Sequence, residues 1–266
     1  MEILVCVKRV PMVGGRIVVT QDGQDVDTRM SGFTVSPHEE CAVEEAVRLI
    51  ERLGGAATVL TLGPAAAAEQ LRAALALGAT RAILLQTDGR EWGPMATAGA
   101  IAEVARAAGA VPGGPGPYDL LLFGNEAADT GGYQVGVRVA HALGLPCVTG
   151  VKSIEITGAS TSGPSARAER EYRGVKEVFE ITLPAVITVK EGINLPRYPS
   201  LPGRLRAKRA VIEQIKADDG GSRADGLRQQ MLRVPAGEHR RAEILGTGTG
   251  AVPALVRILD ELGVLP

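Results

Sequence analysis

Short apolar runs alternate with longer amphipathic stretches through about the first 148 residues. The runs Ile3 to Val7, Ala57 to Leu62, Ala82 to Leu85, Asp119 to Phe123 and Pro146 to Val151 each end near a glycine or a polar residue. Runs so uniformly apolar belong to strands covered on both faces. Between the first two, Ser36-Pro37-His38-Glu39 reads as a helix start, with Ser as N-cap, Pro in the first turn and Glu three residues after the Ser. Val43, Ala46, Val47 and Ile50 then fall at i, i+3, i+4 and i+7, while Glu44, Glu45, Arg48 and Glu51 occupy the other faces. Similar helical patterns cover Ala66 to Leu77, Pro94 to Ala108 and Gln134 to Leu143, the last stopped by Gly144. This rhythm predicts an α/β fold: a doubly wound, mostly parallel, Rossmann-like sheet with crossover helices.

After Val151 the grammar changes. Ser153 to Ile156, Ala166 to Tyr172, Val175 to Thr182 and Ala185 to Val189 read as short strands with Gly and Ser turns, expected as antiparallel hairpins joined to the sheet edge. From Gly192 to Ile212 there is no acid, but there are five bases (Arg197, Arg204, Arg206, Lys208, Arg209), with prolines at 196, 199 and 202. Such a segment cannot bury a core of its own and reads as a stiff basic loop. A polar stretch from Asp218 to Ala242 follows, and Gly246 to Gly250 reads as a flexible linker into a terminal helix striped by Leu255, Ile258, Leu259 and Leu262. The chain therefore divides into a nucleotide-binding domain with a hairpin extension (1–190) and a docking loop plus C-terminal arm (191–266) that packs on a partner.

The charge balance, 29 Lys plus Arg against 30 Asp plus Glu, gives no excess to attract nucleic acid or anionic lipid. Aromatics make up only 3% of the residues, so the core must come from Ala, Val, Leu and Ile, and an aromatic binding platform is disfavoured. Cys6, Cys41 and Cys147 stand far apart in apolar surroundings without a neighbouring His, which suggests reduced thiols and no metal. The opening MEILVCVKRV resembles no leader, and no apolar run reaches membrane-spanning length, so a soluble, cytoplasmic protein is expected.

The most informative segment, Gly124 to Gly136, carries several glycines between a strand and a helix. In a doubly wound sheet such a loop lies where ligands bind, and its amides together with the helix N-terminus can hold a phosphate; an ordinary glycine-rich connection is the plainer reading. Neither GxGxxG nor GxxxxGK[ST] is present, and there is no Walker lysine, so a bound nucleotide would be held rather than hydrolysed. Cys6, Ser36 to Glu39 and Leu62-Gly63 could line the same crevice. For Cys6, packing against a nucleotide competes evenly with being a small buried residue, and His38 is open between a helix-start contact and a functional one. No nucleophile–base arrangement is visible. In the basic segment, Leu201 stands between Ser200 and Pro202 as an apolar anchor for a partner's pocket, with the charges steering the encounter.

Taken in order, Leu4 to Val10 (LVCVKRV), Ser36 to Ala46 (SPHEECAVEEA), Thr61 to Pro64 (TLGP), Leu75 to Ala79 (LALGA), Gly124 to Gly136, Leu183 to Val189 (LPAVITV) and Pro196 to Pro202 (PRYPSLP) resemble the beta subunits of electron transfer flavoproteins. The resemblance implies a noncatalytic subunit, paired with a larger alpha subunit that holds most of the FAD. That pair takes electrons from acyl-CoA and related dehydrogenases and passes them to a membrane quinone oxidoreductase. It also implies one AMP in this subunit, contacted by Cys6, Ser36, Pro37, His38, Glu39, Leu62, Gly63, Gly124, Asn125, Asp129, Thr130, Gly131, Gly132, Tyr133, Gln134 and Val135. Val13 and His38 occupy flavin-proximal positions, and Pro196, Arg197, Tyr198, Leu201, Arg204 and Arg206 form the dehydrogenase-docking loop. The family's acid-Gly-Gly hairpin is here Tyr172-Arg173-Gly174. A bifurcating subclass with a second FAD in place of AMP would carry an Asp-Asp-Lys helix start and an acid-Thr pair after the third strand. His38-Glu39-Glu40 and Trp92 to Thr97 stand there instead, which favours AMP. A universal-stress-type nucleotide-binding regulator is the alternative from another class, and it would need neither the basic loop nor the arm.

Overall fold

The computed structural model describes residues 1–12, 17–108, 118–160, 163–217, 230–235 and 242–265. Its elements are β1 (Glu2–Cys6), β2 (Val10–Pro11), β3 (Phe33–Thr34), α1 (Pro37–Leu53), β4 (Ala56–Gly63), α2 (Ala68–Leu77), β5 (Arg81–Gln86), α3 (Pro94–Ala107), β6 (Leu120–Gly124), α4 (Val135–Leu143), β7 (Cys147–Val151), β8 (Ser153–Ser160), β9 (Gly163–Tyr172), β10 (Val175–Thr182), β11 (Ala185–Val189), α5 (Leu201–Arg209), β12 (Glu213–Lys216) and α6 (Val252–Glu261). Seven of the strands form one sheet in the order β12-β5-β4-β1-β6-β11-β7, every neighbouring pair parallel. The α/β, doubly wound expectation holds.

Alternation along the strands separates two cores. Ile3, Val5 and Val7 face α1 and α2, whereas Leu4 and Cys6 face the layer built by α3 and α4. The small β8–β9–β10 antiparallel sheet adds Ile154, Ala166 and Ala168 to the first of these cores. From β1 the order runs outward through β4, β5 and β12 on one side and through β6, β11 and β7 on the other. The reversal lies between β1 and β6, and the crevice at their carboxyl ends is where such sheets bind ligands.

Three sequence expectations change. Ala185–Val189 was expected in an antiparallel hairpin at the sheet edge; it is instead β11, parallel to both β6 and β7 and buried at all five positions. A half-exposed hairpin strand would alternate, and this one has no polar face because helices cover both sides. The basic segment is not a loop throughout: Ser200 caps α5 by accepting from the Gly203 amide at 3.1 Å, and Pro202 sits in the first turn. The helix lies against α2 so closely that a Cβ on Gly203 would come within 2.4 Å of the Ala76 carbonyl oxygen. The chain then returns to the sheet as β12, beside β5. Finally, Gly248–Ala251 forms a 3-10 turn rather than a plain linker before α6.

Candidate functional site

Ser36, Pro37, His38 and Glu39 form the start of α1 and come to the crevice. Glu39 is only 7% exposed and turns back to accept the amides of Ser36 (3.2 Å) and Lys8 (3.1 Å), joining the helix start to the end of β1. Burial pushes its carboxyl up to about 8, against the pull of those two amides and of Lys8. Glu39 is therefore largely protonated at neutral pH. Cys6, paired in register with Leu60 and Phe123 on either side, is buried beside it. Desolvation, then the neighbouring Glu39, push its thiol far up, so it is an inert wall residue.

The Gly124 to Gly136 loop packs directly on this helix start. The Ser36 hydroxyl accepts the Ala128 amide at 2.9 Å. A Cβ on Gly124 would lie 2.5 Å from Glu39 Cγ and 3.0 Å from the Glu39 nitrogen, so only glycine permits this approach. Gly136 is equally constrained, because a Cβ there would meet Thr188 Cγ2 at 2.8 Å. Gly131 and Gly132, by contrast, face open space. Gly131 and Tyr133 take left-handed backbone, φ 55° and 54°, immediately before α4, whose first-turn amides have no intrahelical acceptor. Tyr133 is 58% exposed and the Gln134 side chain is taken by Arg138 (3.0 and 3.1 Å).

The structure thus brings together Cys6, Ser36, His38, Glu39, Gly124 and the loop through Val135. Asp129 turns its carboxylate to the Thr130 amide (2.7 Å) and to Lys8 Nζ (2.7 Å). Asn125 points away and accepts the Thr188 hydroxyl (2.8 Å), bracing the loop on β11. Leu62 and Gly63 end β4, the next strand over, where the Gly63 carbonyl accepts the Thr87 amide (2.9 Å). His38 Nε2 stands 3.8 Å from Glu126, and its buried Nδ1 has no hydrogen-bond partner among the described residues. Val13 lies outside the described residues.

Sequence reasoning missed Lys8. It bridges Asp129 in the crevice loop and Glu91 ahead of α3, and although burial opposes its charge, Glu91 and Asp129 raise its pKa. Its place two residues beyond β1, at the mouth of the crevice, was the available signal.

In the 196–206 segment, Tyr198 is 95% and Leu201 71% exposed, and Arg204 is exposed. Arg197 and Arg206 are not free. Arg197 pairs with Glu44 (3.0 Å) and Glu51 (2.6 Å), while Arg206 donates to the Leu75 carbonyl (3.3 Å). Pro196 and the residues around it lie along α1. The apolar stripe of α6 is largely uncovered by the described residues, with Leu255 47% and Leu262 68% exposed. Among the described residues no cluster of metal-binding side chains occurs, and no helix is long and apolar enough to cross a membrane.

The family model described as electron transfer flavoprotein domain matches residues 26–220. The chain is similar to the electron transfer flavoprotein subunit beta of Bradyrhizobium diazoefficiens, at 34% identity with 100% of each chain covered. It is likewise similar to that of Bacillus subtilis, at 36% identity over 70% of this chain and 68% of the relative. A mitochondrial subunit beta from Oryza sativa is 36% identical, over 82% of this chain and 83% of the relative. An unbroken parallel sheet, a glycine loop closed onto the start of α1 and this match along the chain's length lead to one conclusion: the chain belongs to the electron transfer flavoprotein family, as a beta subunit.

Proposed function

We propose that this subunit holds one AMP in the β1/β6 crevice and pairs with an alpha subunit that carries most of the FAD. The pair accepts electrons from acyl-CoA and related dehydrogenases and delivers them towards a membrane quinone oxidoreductase. The observation that carries the nucleotide reading is the contrast within one loop: Gly124 is closed to within a Cβ of Glu39, whereas Gly131 and Gly132 are open beside the amides that begin α4. A crevice tight at its floor, with the amides of Gly132 to Val135 unpaired among the described residues at its rim, suits a purine wedged behind Gly124 with its phosphate at the α4 N-terminus. The raised Glu39 carboxyl leaves that floor neutral under an anionic ligand, and Lys8 offsets the Asp129 charge at the mouth.

Each named residue has a holding task. Ser36 and Ala128 fix the loop to α1; Gly124 and Cys6 shape the floor; Gly132 to Val135 present amides; His38 turns Nε2 towards Glu126 and keeps Nδ1 without a partner among the described residues. When FAD is bound by the pair, it supplies the one- and two-electron chemistry, and AMP supplies none. This subunit acts as an electron carrier component without catalytic residues of its own. The reading places it in the cytoplasm.

Tyr198 and Leu201 are the proposed contact to the dehydrogenase, and the open stripe of α6 is the proposed contact to the alpha subunit. Co-expression with a flavin-bearing alpha subunit tests this directly. A yellow 1:1 complex whose flavin is bleached by an acyl-CoA dehydrogenase and its substrate is expected. A stable, colourless monomer that ignores the alpha subunit would overturn the reading.

A further inference from the structure

The segment that carries Leu195, Tyr198 and Leu201 is fixed to the back of α1 by side chains from successive turns of that helix. Glu44, 1% exposed, accepts the Arg197 amide at 3.2 Å and its guanidinium at 3.0–3.3 Å. Glu51, two turns on, takes the other edge of the same guanidinium at 2.6 and 2.9 Å. Arg48 pairs with Glu44 and donates to the Leu195 carbonyl at 3.1 Å. One turn earlier, Asn194 donates to the Cys41 carbonyl and to Glu45, at 3.0 and 2.9 Å. At and just beyond these fixed points Leu195, Tyr198 and Leu201, the last opening α5, project into solvent at 83%, 95% and 71% exposure.

Surface ion pairs contribute little on their own. This one differs because Glu44 is buried, the guanidinium is shared by two carboxylates in fork geometry, and the backbone joins in. We propose that Arg197 is a positioning residue: it holds the loop in one conformation, through Glu44 and Glu51, so that Leu195, Tyr198 and Leu201 meet the donor dehydrogenase pre-ordered. The proposal rests on the docking role given to this loop above and goes further, assigning Arg197 to the chain's own helix rather than to the partner. Steering charge then falls to Arg204, Lys208 and Arg209, which are exposed.

Ordering three large side chains only at the moment of encounter weakens association. Arg197→Gln in the complete alpha–beta complex is therefore expected to raise the apparent KM for the complex in dehydrogenase-driven flavin reduction by roughly five- to tenfold. It should leave kcat, nucleotide content and chemical reduction of the flavin unchanged. Glu51→Gln, on an exposed partner, is expected to give a smaller rise without threatening folding, and Arg197→Lys, which keeps one charge but not the fork, to restore part of the loss. Amide exchange across 194–201 should quicken in Arg197→Gln while α1 stays protected. Unchanged exchange, or a KM that rises in Leu201→Ala but not in Arg197→Gln or Glu51→Gln, would overturn the positioning role and leave the docking loop standing. A KM unmoved by Leu201→Ala would remove the docking reading itself, and the positioning role with it.

Discussion

The two ends of α1 use carboxylates in opposite ways. At the first turn, Glu39 is buried, receives two amides and is pushed up to about 8, so it serves as a neutral wedge beneath the crevice. From the middle of the helix onward, burial likewise opposes the charge on Glu44, but the Arg197 and Arg48 guanidiniums outweigh it and hold that carboxyl below the ordinary range. Hydrogen bonds from Arg197 lower Glu51 as well. Burial alone therefore does not decide how a carboxyl behaves; whether a cation accompanies it does. One end closes the floor of the proposed nucleotide crevice, and the other holds an exposed segment outward.

Gly124→Ala strikes the crevice end hardest. The added Cβ must displace Glu39 Cγ and press on backbone at 3.0 Å, so we expect about 1–3 kcal/mol of lost stability and loss of bound nucleotide, read by thermal unfolding and by nucleotide analysis after denaturation. Loop 194–201 should keep its exchange protection in that variant, which separates the two ends.

The ends should also respond oppositely to pH. For Glu39 the folded pKa lies above the unfolded one, so the folded state binds more protons between about 4.3 and 8, and its contribution to stability declines as pH rises through that window. For Glu44 and Glu51 the folded pKa lies below, so their contribution is present above the ordinary Glu value and fades as pH falls beneath it. Amide-exchange protection factors should therefore weaken at Ser36 to Glu39 as pH rises from about 4.3 to 8, and at 194–197 as pH falls below the ordinary Glu value. Glu39→Gln should flatten the decline between about pH 4.3 and 8 and leave the acid one in place.

Ser36→Ala removes the acceptor for the Ala128 amide and should cost about 1 kcal/mol, with weakened nucleotide retention as the visible sign. Arg173→Gly is the smallest change and lies outside α1. Arg173 holds φ 49° at the β9–β10 turn, and glycine there should stabilise by about 0.5–1 kcal/mol without touching nucleotide or donor reduction.

The crevice end was legible because its signals are local. Ser36, Pro37 and Glu39 fall within four residues, and the glycine loop follows a strand directly. The opposite end was not, because Glu44, Arg48 and Glu51 look like the solvated faces of any amphipathic helix. The residue that buries Glu44 is Arg197, 153 positions later. The five bases of the later segment were seen as one positive loop for the same reason: pairing across the fold leaves no periodic trace. β11 was found with the right limits but the wrong partners, since AVITV contains no indication of direction. β12, four residues with only one partly covered, has too little apolar pattern to be read at all.

The most direct measurement is the identity of the nucleotide released on denaturing the purified alpha–beta complex. One AMP beside one FAD per heterodimer is the expected result, with AMP lost selectively in Gly124→Ala; two FAD and no AMP, or ATP held by this subunit alone, would contradict the assignment of the crevice.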